Sequence, residues 1–342
     1  MAGRAGVAIV LGLCCVTGSP VLAQRSVQVS GLVYAGWHLD FGPGAGGDNR
    51  FEVNRAYLTL SGRTSERVHG RITTDAIRED GEELEIRLKY AYATYDLPGG
   101  TTSLRFGLTK TPFLDFEETV WDHRMHASMP ADQARFLSTA DLGVAVDGQW
   151  GRDERVQISA GLYNGEGWAS GTGDGGKDLM VRATVRLLDS DDPSATGGLR
   201  LTGYGHLGRP TGGGDRHRAL AMLTWQSRRL SVGGQLLLAR DRTDAVEGEP
   251  GTARDARLAT GFVVYRVPGS TVALLGRLTR LDRDRGMADD EMTRVLGGIS
   301  ARLAPELRVM ASVEHTSYTG GAPTPDAEAM RRQAKLQMAL AF

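Results

Sequence analysis

The chain has 342 residues, 40 Lys and Arg against 41 Asp and Glu, a formal net charge of −1, and 46 glycines against 12 prolines. With a mean hydropathy of −0.26, it has the composition neither of a disordered chain nor of a helical membrane protein. Such a charge balance points to no partner by itself, and no nucleic-acid partner is expected.

The first residues read as a secretory leader. Arg4 supplies the positive start, Val7 to Val16 an apolar core, and Val21-Leu22-Ala23 a cleavage motif, so residues 1–23 are expected to be removed before Gln24. The apolar run is too short to span a bilayer, and nothing later reaches the ~20 uninterrupted apolar residues that a spanning helix requires. Leu13 before Cys14 argues against lipidation. Both cysteines, Cys14 and Cys15, lie in the leader, so the mature chain is expected to carry no disulfide and no thiolate site.

From there, short alternating segments succeed one another. VQVSGLVYAGWHLD (27–40) leads into a glycine-rich GPGAGGDN; FEVNRAYLTLSG (51–62) and ERVHGRITTDA (66–76) come next, then LEIRLKYAYATYDL, closed by Pro98-Gly99-Gly100, and TTSLRFGLTKTPF. After a longer stretch the pattern resumes at LGVAVDGQW and continues through ten more segments to the closing QAKLQMALAF. Period-two alternation is the mark of strands with one apolar face, and the count is about 16. Tight connections such as VPGS and LAPE take turns with long polar ones such as RTDAVEGEPGTARD. No convincing helical period occurs. These features predict an all-β, transmembrane antiparallel β-barrel over residues 24–342, short turns at one rim and long loops at the other. The closing strand is expected to pair with the first, with Phe342 at the membrane interface as a signal for barrel-assembly machinery.

Strand phase assigns the lumen. Ala56, Leu58 and Leu60 would face lipid, leaving Arg55, Tyr57 and Thr59 inside. Leu84, Ile86 and Leu88 would face out with Arg87 and Lys89 inside, and Leu104, Phe106 and Leu108 out with Arg105 inside. The inward set also takes Arg67, Arg71, Arg182, Arg186, Arg200, Arg277, Arg294, Arg302, Arg308 and Lys335, against fewer acids, chiefly Asp75, Glu85, Asp147 and Glu314. A basic ladder of Arg55, Arg71, Arg87, Lys89, Arg105, Arg182 and Arg186 is therefore expected along the channel, and rings of Arg or Lys are how an anion pore is built. Phase is ambiguous in RALAMLTWQ and TVALLGRL, where both faces are apolar and a subunit contact is one explanation.

The longest connection, LDFEETVWDHRMHASMPADQARFLSTADL, is expected to fold inward as a constriction loop over about 114–140. Trp121, Phe136 and Leu137 would pack on the wall, and His123, Arg124, His126 and Arg135 would line an eyelet. Neither these nor the remaining histidines sit in a nucleophile context, so no enzyme is expected. His123 and His126, with Asp122 beside them, have a spacing that could suggest a metal site, but no third ligand is evident, so no metal or other cofactor is expected either.

FEVNRAYLTLSG, FGLTKTPF, TADLGVAVDGQWG and VQISAGLYNGEGW together resemble the phosphate-selective porin O/P family of Gram-negative outer membranes. The resemblance implies a 16-stranded barrel in the bacterial outer membrane, often a homotrimer, whose third outer loop enters the lumen and whose basic ladder passes anions. The chain departs from the pattern in having only four lysines, Lys89, Lys110, Lys177 and Lys335. The expected function is passive diffusion of small anions such as phosphate through a water-filled lumen. The alternative is a structural or adhesive barrel with a plugged lumen.

Overall fold

The computed structural model describes residues 27–42, 47–78, 84–168, 176–209, 213–244, 251–320 and 330–342; the expected leader lies outside them. The alternating segments form β1 (Val27–Asp40), β2 (Asn49–Arg63), β3 (Val68–Arg78), β4 (Leu84–Asp96), β5 (Thr102–Lys110) and β6 (Ala140–Trp150). β7 (Val156–Tyr163), β8 (Asp178–Leu188), β9 (Gly198–Gly208), β10 (Asp215–Gln226) and β11 (Leu230–Arg242) come next. The last are β12 (Ala253–Arg266), β13 (Val272–Asp282), β14 (Glu291–Ala304), β15 (Leu307–Tyr318) and β16 (Met330–Ala341).

Each strand pairs with its neighbours in sequence, and β1 closes on β16 with Leu32 opposite Ala341 and Asp40 opposite Gln333. No sheet edge is left, as a hydrocarbon environment demands. The seam is finished by the last residue. Gly31 N–H donates to the Phe342 carbonyl at 2.7 Å and Phe342 N–H donates back at 3.0 Å. The Phe342 ring lies over Gly31, where a Cβ would stand 2.3 Å from its Cζ. Only glycine leaves room there.

Side chains divide as the phase predicts. Ile86 is 74 % exposed and Phe106 72 %, and Leu58, Leu201 and Leu278 are exposed with them, whereas Arg105, Thr184 and Thr202 are buried inside. An apolar belt of this extent is a lipid-facing surface. Short turns gather at one rim and longer connections at the other, with one irregularity: the turn 189–197 is longer than the opposite connections 79–83 and 209–214.

The β5–β6 connection, 111–139, is the third at the long-loop rim and folds inside the barrel. Contrary to the sequence reading, it contains helix: α1 (Leu114–Val120) and α2 (Pro130–Gln133). Pro130 stands at the first turn of α2, and Asp115 and Glu117 in that of α1, both favourable placements. Leu114, Trp121 and Met129 are almost wholly buried against inward-facing Leu220, Met222, Leu237, Leu258, Phe262 and Leu275. Trp121 meets the Phe262 ring edge-on at 5.4 Å; burying an indole contributes about 4–6 kcal/mol at most. Thus the two-faced apolar strands at RALAMLTWQ and TVALLGRL turn their second apolar face to this loop. No subunit contact is needed to explain them.

Candidate functional site

The loop is held by polar contacts from many strands. Gln235 Nε2 donates to Glu117 Oε1 at 2.7 Å, Gln226 Nε2 to the Val120 carbonyl at 3.0 Å, and Gln337 Nε2 to the Met125 carbonyl at 2.9 Å. Arg182 Nε donates to the Pro112 carbonyl at 2.9 Å and its guanidinium lies 4.6 Å from the centre of the Phe116 ring. Arg308 and Arg266 reach Asp122 Oδ2 at 3.2 and 3.3 Å. Burial alone would raise the Asp122 carboxyl, but the neighbouring His123 ring and these two guanidinium groups outweigh it and hold Asp122 well below the usual carboxylate range. Burial dominates at Glu117, whose carboxyl is pushed up to about 7. His126 is driven well below the usual histidine range by burial and by the surrounding cations, Lys335 first among them.

Among the described residues, three chambers open beside the loop. The largest, about 700 Å³, opens among the 165–168 segment, α2 and β2–β4, and faces Arg55, Arg87, Arg135 and Arg216 toward Asp132, Asp141 and Glu166. A second, about 260 Å³, has Arg71, Lys89, Lys110 and Arg124 against Asp115 and Glu118, with Tyr34, Tyr57 and Tyr90 between them. A third, about 210 Å³, reaches the short-turn rim at Pro305 and Glu306 and has Arg124, Arg302 and Arg308 against Asp122 and Glu306. In each, cations outnumber acids.

The divide between the large chamber and the second runs at β2, where Arg55 lines the one and Tyr57 the other. On the wall, Arg55 Nη1 and Lys89 Nζ both donate to Tyr57 Oη at 3.1 Å, and Arg55 lies 3.5 Å from Asp75. Across from it, Arg124 donates to Glu118 at 2.9 Å and to Ser128 Oγ at 3.3 Å. Two β-bulges set this wall. The β1–β2 register slips between Tyr34 and Ala35, skipping Asn54 just before Arg55. The β3–β4 register slips between Thr73 and Thr74, skipping Lys89. A bulge re-aims the side chains beyond it, so Lys89 and Tyr90, adjacent in sequence, both face the lumen and are buried.

The expected ladder is therefore split by the structure. Arg55, Arg71, Arg87 and Lys89 line chambers. Arg105 is clamped on Asp147, at 2.5 and 3.0 Å. Arg182 braces the loop, and Arg186 donates to the Ser194 carbonyl at 3.1 Å, tying down the 189–197 turn. Arg67 is exposed at the short-turn rim instead of pointing inward, whereas Arg302, exposed at the same rim, lines the third chamber. Of the four loop residues, Arg124 stands at the divide and Arg135, at φ 60°, is exposed in the large chamber. His123 and His126 do not line an eyelet. His123 Nε2 lies 2.8 Å from Ser300 Oγ and His126 Nε2 3.4 Å from Glu314, both buried against the far wall because the loop's apolar face draws them there. Among the described residues, no group of three His, Asp or Glu side chains is placed to hold a metal ion.

The sequence reading missed Tyr90, Trp168, Arg216 and the loop acids Glu118 and Asp132. Tyr90 carried no signal, since strict alternation from the inward Lys89 turns it toward lipid and only the bulge brings it inside. Trp168 carried none.

A closed sixteen-stranded barrel whose third long connection divides a cation-rich lumen has the architecture of a porin channel. Solved structures agree on the fold. The chain is similar to the anion-selective porin from Comamonas acidovorans (10 % identity, TM-score 0.67, covering 93 % of this chain and 100 % of that one). It is also similar to the trimer form of Vibrio cholerae OmpT (13 %, 0.61, 93 % and 99 %) and to the outer-membrane channel DcaP of Acinetobacter baumannii (14 %, 0.62, 96 % and 100 %). No protein-family model matches the chain, and no curated protein matches it at a significant level.

Proposed function

We propose that this protein is a porin of the bacterial outer membrane, a water-filled channel through which small anions, phosphate among them, diffuse passively. The observation that carries the reading is the excess of cations over acids in each of the three chambers described beside the loop. An anion would be drawn by several weak sites in succession without being trapped at any. The anion-selective porin among the similar structures and the resemblance of the Phe51–Trp168 motifs to the phosphate-selective O/P family support the same reading. So does the arginine content of the ladder, since guanidinium is a good phosphate partner. A homotrimer, with membrane lipid and the barrel-assembly machinery as further partners, belongs to the proposal, as do removal of the leader and Phe342 as the assembly signal. The low wall at β5 and β7, the two shortest strands, is where protomers would meet.

Neutralising Arg55, Arg71, Arg87, Lys89 and Arg105 together tests the ladder. At ~6 Å in water one charge is worth about 0.7 kcal/mol, roughly threefold in anion occupancy, so the five should abolish or reverse the anion preference. Reversal potentials in planar bilayers read this, and an unchanged preference would sink the assignment. A second reading, a plugged structural or adhesive barrel, draws on the hydrogen bonds that fix the loop to the wall, from Gln235 to Glu117, Gln226 to the Val120 carbonyl and Gln337 to the Met125 carbonyl. Single-channel recordings separate the two, since a plugged barrel conducts essentially nothing.

A further inference from the structure

Lys89 is 2 % exposed, yet no carboxylate among the described residues pairs with it. The nearest acids are already engaged: Glu118 with Arg124 at 2.9 Å and Asp75 with Arg55 at 3.5 Å. What surrounds the ammonium is aromatic. Its Nζ stands 4.7 Å from the centre of the Tyr57 ring, 5.6 Å from that of Tyr90 and 5.9 Å from that of Trp168, and its one hydrogen bond among the described residues goes to Tyr57 Oη. Arg71 is held in the same way, with Nε on Thr73 Oγ1 at 2.9 Å and its guanidinium 5.0 Å from the centre of the Tyr90 ring. π faces soften the burial of a cation but do not neutralise it. The 260 Å³ chamber opens beside both groups, and the bulge at Lys89 is the local feature that aims Lys89 and Tyr90 into it together.

We propose that this chamber is a binding site for weakly hydrated organic monoanions carrying one aromatic ring, of which benzoate is the simplest. The carboxylate takes the free N–H groups of Lys89 and Arg71, and the ring lies among Tyr34, Tyr57 and Tyr90. Two features select this class over inorganic phosphate. Phosphate carries charge on every side and would turn some of it toward phenol rings; a benzoate concentrates it at one end. Shedding water for this chamber costs a small, doubly charged ion far more than a carboxylate on a ring. The volume lies just below the range of drug-sized pockets, so a single ring fits.

The site deepens the anion-channel reading but is tested apart from it, by calorimetric titration of the detergent-folded full chain with benzoate and, separately, with inorganic phosphate. Benzoate should bind measurably and phosphate at least about tenfold more weakly. Lys89→Met, folded by the criterion of heat-modifiable mobility, should weaken benzoate by roughly tenfold or more, and Lys89→Arg should restore most of it. Phosphate binding as tight as benzoate, or benzoate binding indifferent to Lys89→Met, overturns the site. Should Lys89→Met fail to fold, Tyr90→Leu takes its place, with loss of benzoate affinity expected and unchanged affinity overturning the site. Anion-selective conductance without benzoate binding overturns the site and leaves the channel; benzoate binding in a barrel that conducts nothing supports the site and removes the channel.

Discussion

Replacing Glu117 by Gln should remove the part of the pH dependence of loop docking that its carboxyl supplies. Glu117 is 4 % exposed; one oxygen accepts from Gln235 and the other has no partner among the described residues. The charged groups that act on it are Arg277 from the wall and Glu118 and Asp132 from the loop itself, and burial outweighs them, raising its carboxyl from 4.5 to about 7. Docking therefore takes up a proton. Its stabilisation is complete below about pH 4.5, where the undocked loop is also protonated, and is lost as pH rises through about 7. The shift is worth about 3 kcal/mol. Gln keeps the acceptor for Gln235 and cannot ionise. Hydrogen exchange of amides in 113–126, corrected for intrinsic rates, should show the ratio of wild-type to Glu117→Gln protection falling on the order of 10²-fold between pH 5 and pH 8, since the opposing contribution of His126 is common to both proteins. Equal slopes in the two proteins would refute the reasoning.

Trp121→Ala removes the loop's largest apolar anchor and should cost about 3–5 kcal/mol of docking. The measurable result is noisier single-channel current and lost protection in 113–126; current as quiet as wild type would show that the polar contacts suffice. At the seam, Gly31→Ala should push the Phe342 ring aside and lower the yield of heat-modifiable barrel, and adding Phe342→Ala should recover part of that yield by making room. If the double variant is no better than Gly31→Ala, the ring contact is not the cause. Deleting Phe342 should impair assembly before it alters conductance; normal insertion of the truncated chain would end that reading.

The strands were legible because lipid on one side and a polar lumen on the other impose period two on each. The pattern weakened where that contrast fails. In β10 and β13 both faces are apolar since the inner one meets a loop distant in sequence, and nothing within RALAMLTWQ says so. The helices of that loop are too short for periodicity to register: α1 has seven residues and α2 four. His123 and His126 were misplaced because an eyelet residue and a loop-anchoring residue look alike in one dimension. The Lys89 cage depends on a single skipped residue in the β3–β4 register, and strict alternation, extended past Lys89, would have turned Tyr90 toward lipid.

The apolar wall from β10 to β13 has a consequence for any attempt to enlarge this pore. In a wide polar tube, cutting back the inner loop adds conducting cross-section. Here it would uncover Leu220, Leu237, Leu258 and Leu275, and water withdraws from narrow greasy hollows. The shortened protein would trade a loop for a vapour gap or a lodged detergent tail, and carry less current instead of more.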